Sequence, residues 1–126
     1  MTGLISSMSV SASGMEAQAQ RLRHVSENIA NVDTPGYRRK TMSFRAVNKE
    51  GVVAPGPVRL DRSELSQIYD PGHPLADETG NYEGSNVDLV IELADAREAQ
   101  RSYEANLKMF EQTRKMSSGL MELLRR

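Results

Sequence analysis

Ile5, Met8, Ala12, Met15, Ala19, Leu22 and Ile29 recur at the alternating three-four spacing of a narrow helical seam. The spacing predicts one helix over residues 1–31, starting near Leu4–Ser7 with Thr2, Ser6 or Ser7 as its N-cap. Ala12 and Ala19 permit close helix approach, while Met8 and Met15 adapt to uneven surfaces. Ser9, Ser11, Ser13 and Gly14 lower intrinsic helicity, Gly14 by about 1 kcal/mol relative to Ala. A helix of this kind depends on packing partners for its stability.

The seam stops after Ala30. Asn31, Val32, Asp33 and Thr34 are poor helix formers, and Pro35 turns Thr34 away from the α region. Pro35-Gly36 suits positions i+1 and i+2 of a type II turn, and Tyr37-Arg38-Arg39-Lys40 follows as a basic strand or arm. Phe44, Val47, Val52-Val53 and Val58-Arg59-Leu60 predict a short β-hairpin or extended arm over 40–60, with Pro55-Gly56-Pro57 arguing against a central strand. Ser63 to Ile68 fits one helical turn, and residues 69–86 read as a long irregular connection. Periodicity then returns. Leu89, Leu93, Ala96, Ala99, Tyr103, Leu107, Phe110, Ser117, Leu120 and Leu124 predict a second helix over 87–125, capped by Asn86 or Ser85. Glu104/Lys108 and Glu111/Lys115 stand at i,i+4 on its charged face.

The fold expected is mainly α: two long terminal helices packed as an antiparallel coiled-coil-like pair around a short irregular or β-containing middle segment. The divisions expected are 4–35 for the N-terminal helix and turn, 36–86 for the middle segment and 87–125 for the C-terminal helix.

Composition narrows the function classes. The 126 residues carry 16 Lys+Arg against 17 Asp+Glu, and with aromatics at 5% and no Trp the core is thin. Residues 1–49 are net +4 and residues 50–126 net -5, so the halves can attract each other within a subunit or between neighbours. There is no cysteine, hence no disulfide or zinc-thiolate framework. No apolar run is long enough to span a membrane, and the N-terminus lacks the basic and apolar regions of a Sec-type signal peptide.

Two motifs carry a resemblance. Asn28-Ile29-Ala30-Asn31, then Thr34-Pro35-Gly36-Tyr37-Arg38 after a seam-patterned helix, resembles the N-terminal signature of the bacterial flagellar axial proteins. Arg101-Ser102-Tyr103-Glu104-Ala105-Asn106 resembles the C-terminal signature of the same superfamily. Between them, Tyr69, Pro71, His73-Pro74, Ala76, Gly80, Tyr82 and Asn86-Val87 resemble the tract of the proximal rod proteins, most of all the C-type. Gly80-Asn81-Tyr82 and Ser85 depart from that tract, both in a turn. The resemblance implies a structural subunit of the flagellar basal body, part of the proximal rod that passes torque through the periplasm. It implies helical stacking of the terminal helices, with Arg101 and Asn106 joining the second seam. It implies partners in other copies of the chain, the B-type proximal and the distal rod subunits, the rod–membrane-ring junction protein and the export apparatus. It implies export from the cytoplasm without a cleaved signal peptide.

Other chemistry fares less well. Asp70, His73, Asp77 and Glu78 match no standard zinc or calcium loop, and His73 between Gly72 and Pro74 reads as a rigid turn residue. No serine lies in a nucleophile elbow and His24 has no evident catalytic partner, so no enzyme activity and no cofactor is expected. The basic arm around Tyr37–Lys40 comes without a nucleic-acid-binding motif, and its simpler reading is a solvated arm or one that meets the acidic half of a neighbour. The first helix lacks the basic face of a membrane-surface helix. The alternative reading is a cytoplasmic helical-hairpin adaptor that dimerises through the same seams.

Overall fold

The computed structural model describes residues 2–126. Helix α1 (Thr2–Ala30) is followed by strands β1 (Lys40–Ala46), β2 (Val53–Leu60), β3 (Gln67–Tyr69) and β4 (Asn81–Glu83), and then by helix α2 (Leu89–Arg125). The fold is mainly α, with the two long helices packed antiparallel and the β segments between them in sequence.

The first helix begins earlier than its serines suggest. Ser6 and Ser7 lie inside α1, and the position before Thr2 falls outside the described residues. Its end follows local chemistry: the Asn31 side chain donates to the Glu27 carbonyl (2.8 Å) and Val32 N–H to that of Ile29 (3.3 Å), tightening the last turn. Thr34 to Tyr37 close a turn through Tyr37 N–H to the Thr34 carbonyl (3.1 Å), with Gly36 at φ 73 in the region where L side chains are strained. At α2 the cap is Asp88, not Asn86 or Ser85: its carboxylate accepts from Val90 N–H at 2.9 Å, in the position where it also faces the positive end of the helix dipole.

β1 and β2 form an antiparallel hairpin with a bulge between Met42 and Phe44. Pro55 and Pro57 lie within β2, tolerated because a two-stranded ribbon keeps open edges. The ribbon lies along α1, where Val53 N–H bonds the Ser13 hydroxyl (3.1 Å). Two expectations fail between the hairpin and α2. Ser63–Ile68 is not a helical turn, because Ser66 N–H pairs with the Ser85 carbonyl (3.1 Å) and Gly84 N–H with that of Ser66 (2.8 Å), drawing the chain into β3. Residues 69–86 are correspondingly not irregular throughout, since β4 pairs antiparallel with β3. This second ribbon packs on neither helix.

The buried seam between α1 and α2 holds few apolar residues. Ser11, Ala17, Val25 and Asn28 of α1 are buried, facing the buried Glu92, Ala99 and Thr113 of α2. Ser11 and Asn28 fall one residue, or about 100°, from the stripe residues Ala12 and Ile29 of the same helix. Gly14 lets the helices close in, its backbone lying against the Asn106 side chain. The register set by the Asn28–Glu92 and Gly14–Asn106 contacts places Thr2 opposite about residue 118, so roughly the last two turns of α2 extend past it.

Candidate functional site

Asn28 is fully buried in the last turn of α1, and every hydrogen-bonding position of its amide is used. Its oxygen accepts from Tyr37 Oη (2.8 Å) and Lys40 N–H (2.8 Å), while its nitrogen donates to the Lys40 carbonyl (3.0 Å) and Glu92 Oε2 (3.2 Å). One side chain thereby joins the end of α1, the Pro35-Gly36 turn, the start of β1 and the first turn of α2. Burial pushes the Tyr37 hydroxyl above its ordinary pKa, and the nearby Glu27 and Glu92 charges add to this against the opposing Lys40.

Glu92 is fully buried beside it, with Oε1 accepting from Arg39 Nε at 2.6 Å. The same guanidinium reaches Asp61 (3.4 Å) and Asp95 (3.3 Å), and Asp95 is shared with Arg21 (3.3 Å). Burial disfavours the Arg39 cation, but the hydrogen bond and charge of Glu92, with Asp61 and Asp95, outweigh it and raise its pKa. Lys40 pairs with Glu27 (2.5 Å), and that hydrogen bond raises its pKa. Arg38 donates to the carbonyls of Asp61 (3.3 Å) and Ser63 (2.9 Å). The basic segment is therefore not a solvated arm. It folds back onto the acidic half of its own chain.

Asn86 joins this cluster to the tract before α2. Its oxygen accepts from Arg39 N–H (2.7 Å), its nitrogen donates to the Asp61 carbonyl (2.9 Å), and its own N–H bonds the Tyr37 carbonyl (3.3 Å). Gly36 N–H bonds the Gly84 carbonyl (3.0 Å), and the Ser85 hydroxyl bonds that of Val32. Further out, the His73 and Tyr82 rings stack at 3.9 Å, and His73 Nδ1 accepts from Leu75 N–H (3.1 Å). Asp77 Oδ1 gathers the Thr79 hydroxyl (2.6 Å) and the Asn81 N–H (3.1 Å), bonds that lower its pKa, while Asp70 N–H reaches the Gly80 carbonyl (2.9 Å). Pro71 and Pro74 are exposed, and Val87 is half-buried. Among the described residues no group of three or more His, Cys, Asp or Glu is placed to hold a metal ion.

The sequence-predicted residues fall into three places. Asn28, Tyr37, Arg38 and Asn86 converge on the buried cluster, with Asn31, Thr34, Pro35 and Gly36 shaping the turn beside it. Of the α1 stripe, Met8, Met15, Ala19, Leu22 and Ile29 are half-buried, while Ile5, Ala12 and also Ala30 are exposed. Of the α2 stripe, Ala99 is buried, and Ala96, Tyr103, Asn106, Phe110 and Ser117 are half-buried. Leu89, Leu93, Arg101, Leu107, Leu120 and Leu124 face outward. Neither Glu104/Lys108 nor Glu111/Lys115 is among the ion pairs formed; on this helix Glu122 and Arg125 pair instead (3.9 Å). Glu92, Asp95 and Asp61, the partners of Arg39, are functional candidates that sequence reasoning missed, with the excess of acids in the second half as their trace.

A cavity of about 240 Å³ lies beside the cluster, bordered by Arg21, His24, Arg39, Phe44, Glu92 and Asp95 among others. Both ring nitrogens of His24 are buried there without a protein partner. No helix among the described residues is long and apolar enough to cross a membrane.

Comparison with known proteins places these features in a family context. Residues 8–38 match the profile described as flagella basal body rod protein, and residues 78–123 that described as flagellar basal body rod FlgEFG protein C-terminal. The chain is 43% identical to the flagellar basal-body rod protein FlgC of Agrobacterium fabrum, over 99% of this chain and 98% of the relative. It is 37% identical to the FlgC of Aquifex aeolicus, over 97% and 98% of the two chains. It is 34% identical to that of Escherichia coli O157:H7, over 90% and 92%.

Proposed function

The chain belongs to the FlgC family of flagellar basal-body rod proteins, and from that premise we propose that it is a proximal-rod subunit that builds the rod by helical stacking and passes torque through it. One observation carries the reading: the helix pair is closed largely by small and polar residues, and Ile5 with the α2 leucines Leu89, Leu93, Leu107, Leu120 and Leu124 is left exposed. Ile5 keeps 57% of its surface exposed, Leu93 53% and Leu124 78%, while the buried apolar residues among those described are Ala17, Val25 and Ala99. A chain with so little internal core gains stability when neighbours cover its stripes. Heterologous contacts of that kind generate open helical assemblies.

In this reading residues 4–35 and 87–125 form the stacking module, and the Ser26–Lys40 turn sets how the middle segment, 36–86, leaves it. The neighbours are other copies, the B-type proximal and distal rod subunits, and the junction with the membrane ring. The chain reaches the periplasm through the flagellar export apparatus without a cleaved signal peptide. Leu93→Asp, on an exposed stripe position, tests this. The expected result is a variant that is exported and soluble yet missing from isolated basal bodies, in non-motile cells. Motile cells with complete rods would overturn it.

A further inference from the structure

The β1–β2 ribbon has one edge that its own chain obstructs and one that it leaves open. In an antiparallel ladder successive residues turn their peptide groups alternately toward the paired strand and away from it. Asp61 N–H bonds the Arg39 carbonyl (2.9 Å) and Val47 N–H bonds that of Val52 (2.8 Å). Arg39, Thr41, Ser43, Arg45 and Val47 therefore face β2, and Lys40, Met42, Phe44 and Ala46 face away. Lys40 is satisfied on that outer side, where its N–H and carbonyl both meet the Asn28 amide. Among the described residues nothing bonds the outward peptide groups of Met42, Phe44 and Ala46.

The outer side of β2 differs. Val53 N–H there is taken by the Ser13 hydroxyl (3.1 Å), and Pro55, cross-strand from Phe44, has no N–H to give. An added strand thus finds its continuous row of donors and acceptors on β1, over Met42–Ala46, a run of about 13 Å.

The surroundings say what kind of strand fits. Met42 and Phe44 border the cavity of about 240 Å³, across from Arg21 and His24 of α1 and Glu92 and Asp95 of α2. Since about 150 Å³ is enough for benzene in an apolar cavity, one large side chain of an added strand has room here. The Arg21, Glu92 and Asp95 charges are already paired, so the space favours an apolar side chain over a charged one. Along the open edge itself Arg45 and Lys49 are exposed and in none of the ion pairs formed, with only Glu50 beside them. They call for carboxylates on the incoming strand. Two copies meeting edge to edge would instead bring their Arg45 and Lys49 side chains together.

We propose that β1 takes an extended segment of a different rod subunit as a third strand of the ribbon. That segment pairs through its main chain with Met42–Ala46, sets one apolar side chain in the cavity and places carboxylates against Arg45 and Lys49. This deepens the rod reading and rests on it, naming a surface and the chemistry of the neighbour it receives.

Ala46→Pro is the direct test, because it deletes an outward N–H and leaves the β1–β2 ladder intact, as Pro55 does on the other strand. Ala46→Val is the conservative variant that keeps the N–H, and Val58→Pro alters the opposite edge. The readout is the amount of full-length chain in isolated basal bodies. Ala46→Pro is expected to melt within about 5 °C of the wild type yet to fall about tenfold or more in basal bodies. Ala46→Val and Val58→Pro should be found there at the wild-type level. Wild-type amounts of Ala46→Pro, or equal losses for either of the other variants, would overturn the pairing. A second measurement stands whether or not the proline variant folds. The chain has no cysteine, so Ala46→Cys carrying a benzophenone maleimide reports what lies on this edge in basal bodies. Cross-linking to an extended, acid-bearing segment of another rod subunit is the expected result. A cross-link to a helix or to a second copy of this chain, or no product, would overturn the proposal and leave the rod reading standing. Absence of the wild-type chain from isolated basal bodies removes the rod reading, and this contact with it.

Discussion

Gly14 and Asn106 meet face to face across the helix pair: a Cβ at position 14 would lie 2.7 Å from the Asn106 amide oxygen and 2.8 Å from its other two end atoms. The side chain is held there by its own bond to the Ser102 carbonyl (2.8 Å). Gly14→Ala therefore brings two opposed effects, a gain of about 1 kcal/mol in helix propensity and an overpacking cost of about 1–3 kcal/mol. The clash is expected to win by about 1 kcal/mol in urea denaturation. Asn106→Ala in the same chain should return the helix gain, giving a coupling of opposite sign in a double-mutant cycle.

Among the described residues Asn28 and Glu92 are the two largest fully buried side chains, and each satisfies the other. Asn28→Ala strands the Lys40 amide and one oxygen of Glu92, and is expected to cost about 3 kcal/mol. Glu92→Ala leaves the Arg39 guanidinium without its shortest contact, for about 3–5 kcal/mol. Glu92→Gln keeps the shape and should cost less than Glu92→Ala. Equal losses for Gln and Ala at position 92 would remove the hydrogen-bond account. Chemical denaturation of the three variants measures all of this.

Acid should loosen the protein through Asp61 and Asp77. The Asp61 carboxylate is held below its ordinary 3.8 chiefly by the Ser63 backbone N–H (2.8 Å), then by the Ser63 hydroxyl and by Arg39. Asp77 is lowered first by the Thr79 hydroxyl. A carboxylate with a depressed folded pKa contributes stability that is fully present above its ordinary value and is lost as pH falls through the folded one. Melting temperature should thus be level from about pH 7 to 5 and fall below about pH 4. Asp61→Asn and Asp77→Asn should each flatten the acid limb. An unchanged slope would show that neither bond persists in solution.

His24 is expected to be dispensable for folding. Its two nitrogens lie buried with no protein partner, a desolvation cost of about 1–3 kcal/mol that an apolar side chain does not carry. His24→Leu should leave stability unchanged or raise it by about 1 kcal/mol in the same denaturation assay. A loss of more than about 2 kcal/mol would mean that the imidazole is hydrogen-bonded in solution.

Much of this fold was legible because it rests on local spacing. The apolar stripe announced both helices, Pro35-Gly36 announced the turn, and the valines on either side of Pro55-Gly56-Pro57 announced the hairpin. The second ribbon was not legible: β3 and β4 are three residues each, Gln-Ile-Tyr and Asn-Tyr-Glu, and only their pairing across eleven intervening residues makes them strands. The buried cluster was half legible. Asn28 and Tyr37 stand within a recognisable motif, but Glu92 looks like an ordinary acid in the first turn of a helix. It is buried because Arg39, 53 positions earlier, arrives against it.

The polar seam also gives the helix pair a single setting. An apolar seam can slip by a turn and still find grease to sit against. Here a slip by one turn would part Glu92 from Arg39 and Asn28 and leave a carboxylate sealed away from water, at about 3–5 kcal/mol. The pair therefore works like a key with one position in its lock. Because the outer stripes are fixed to these same helices, every subunit that closes correctly presents its outward-facing leucines at the same heights. In the proposed stack the pitch would then be set inside each subunit, by an ion pair sealed between its own segments.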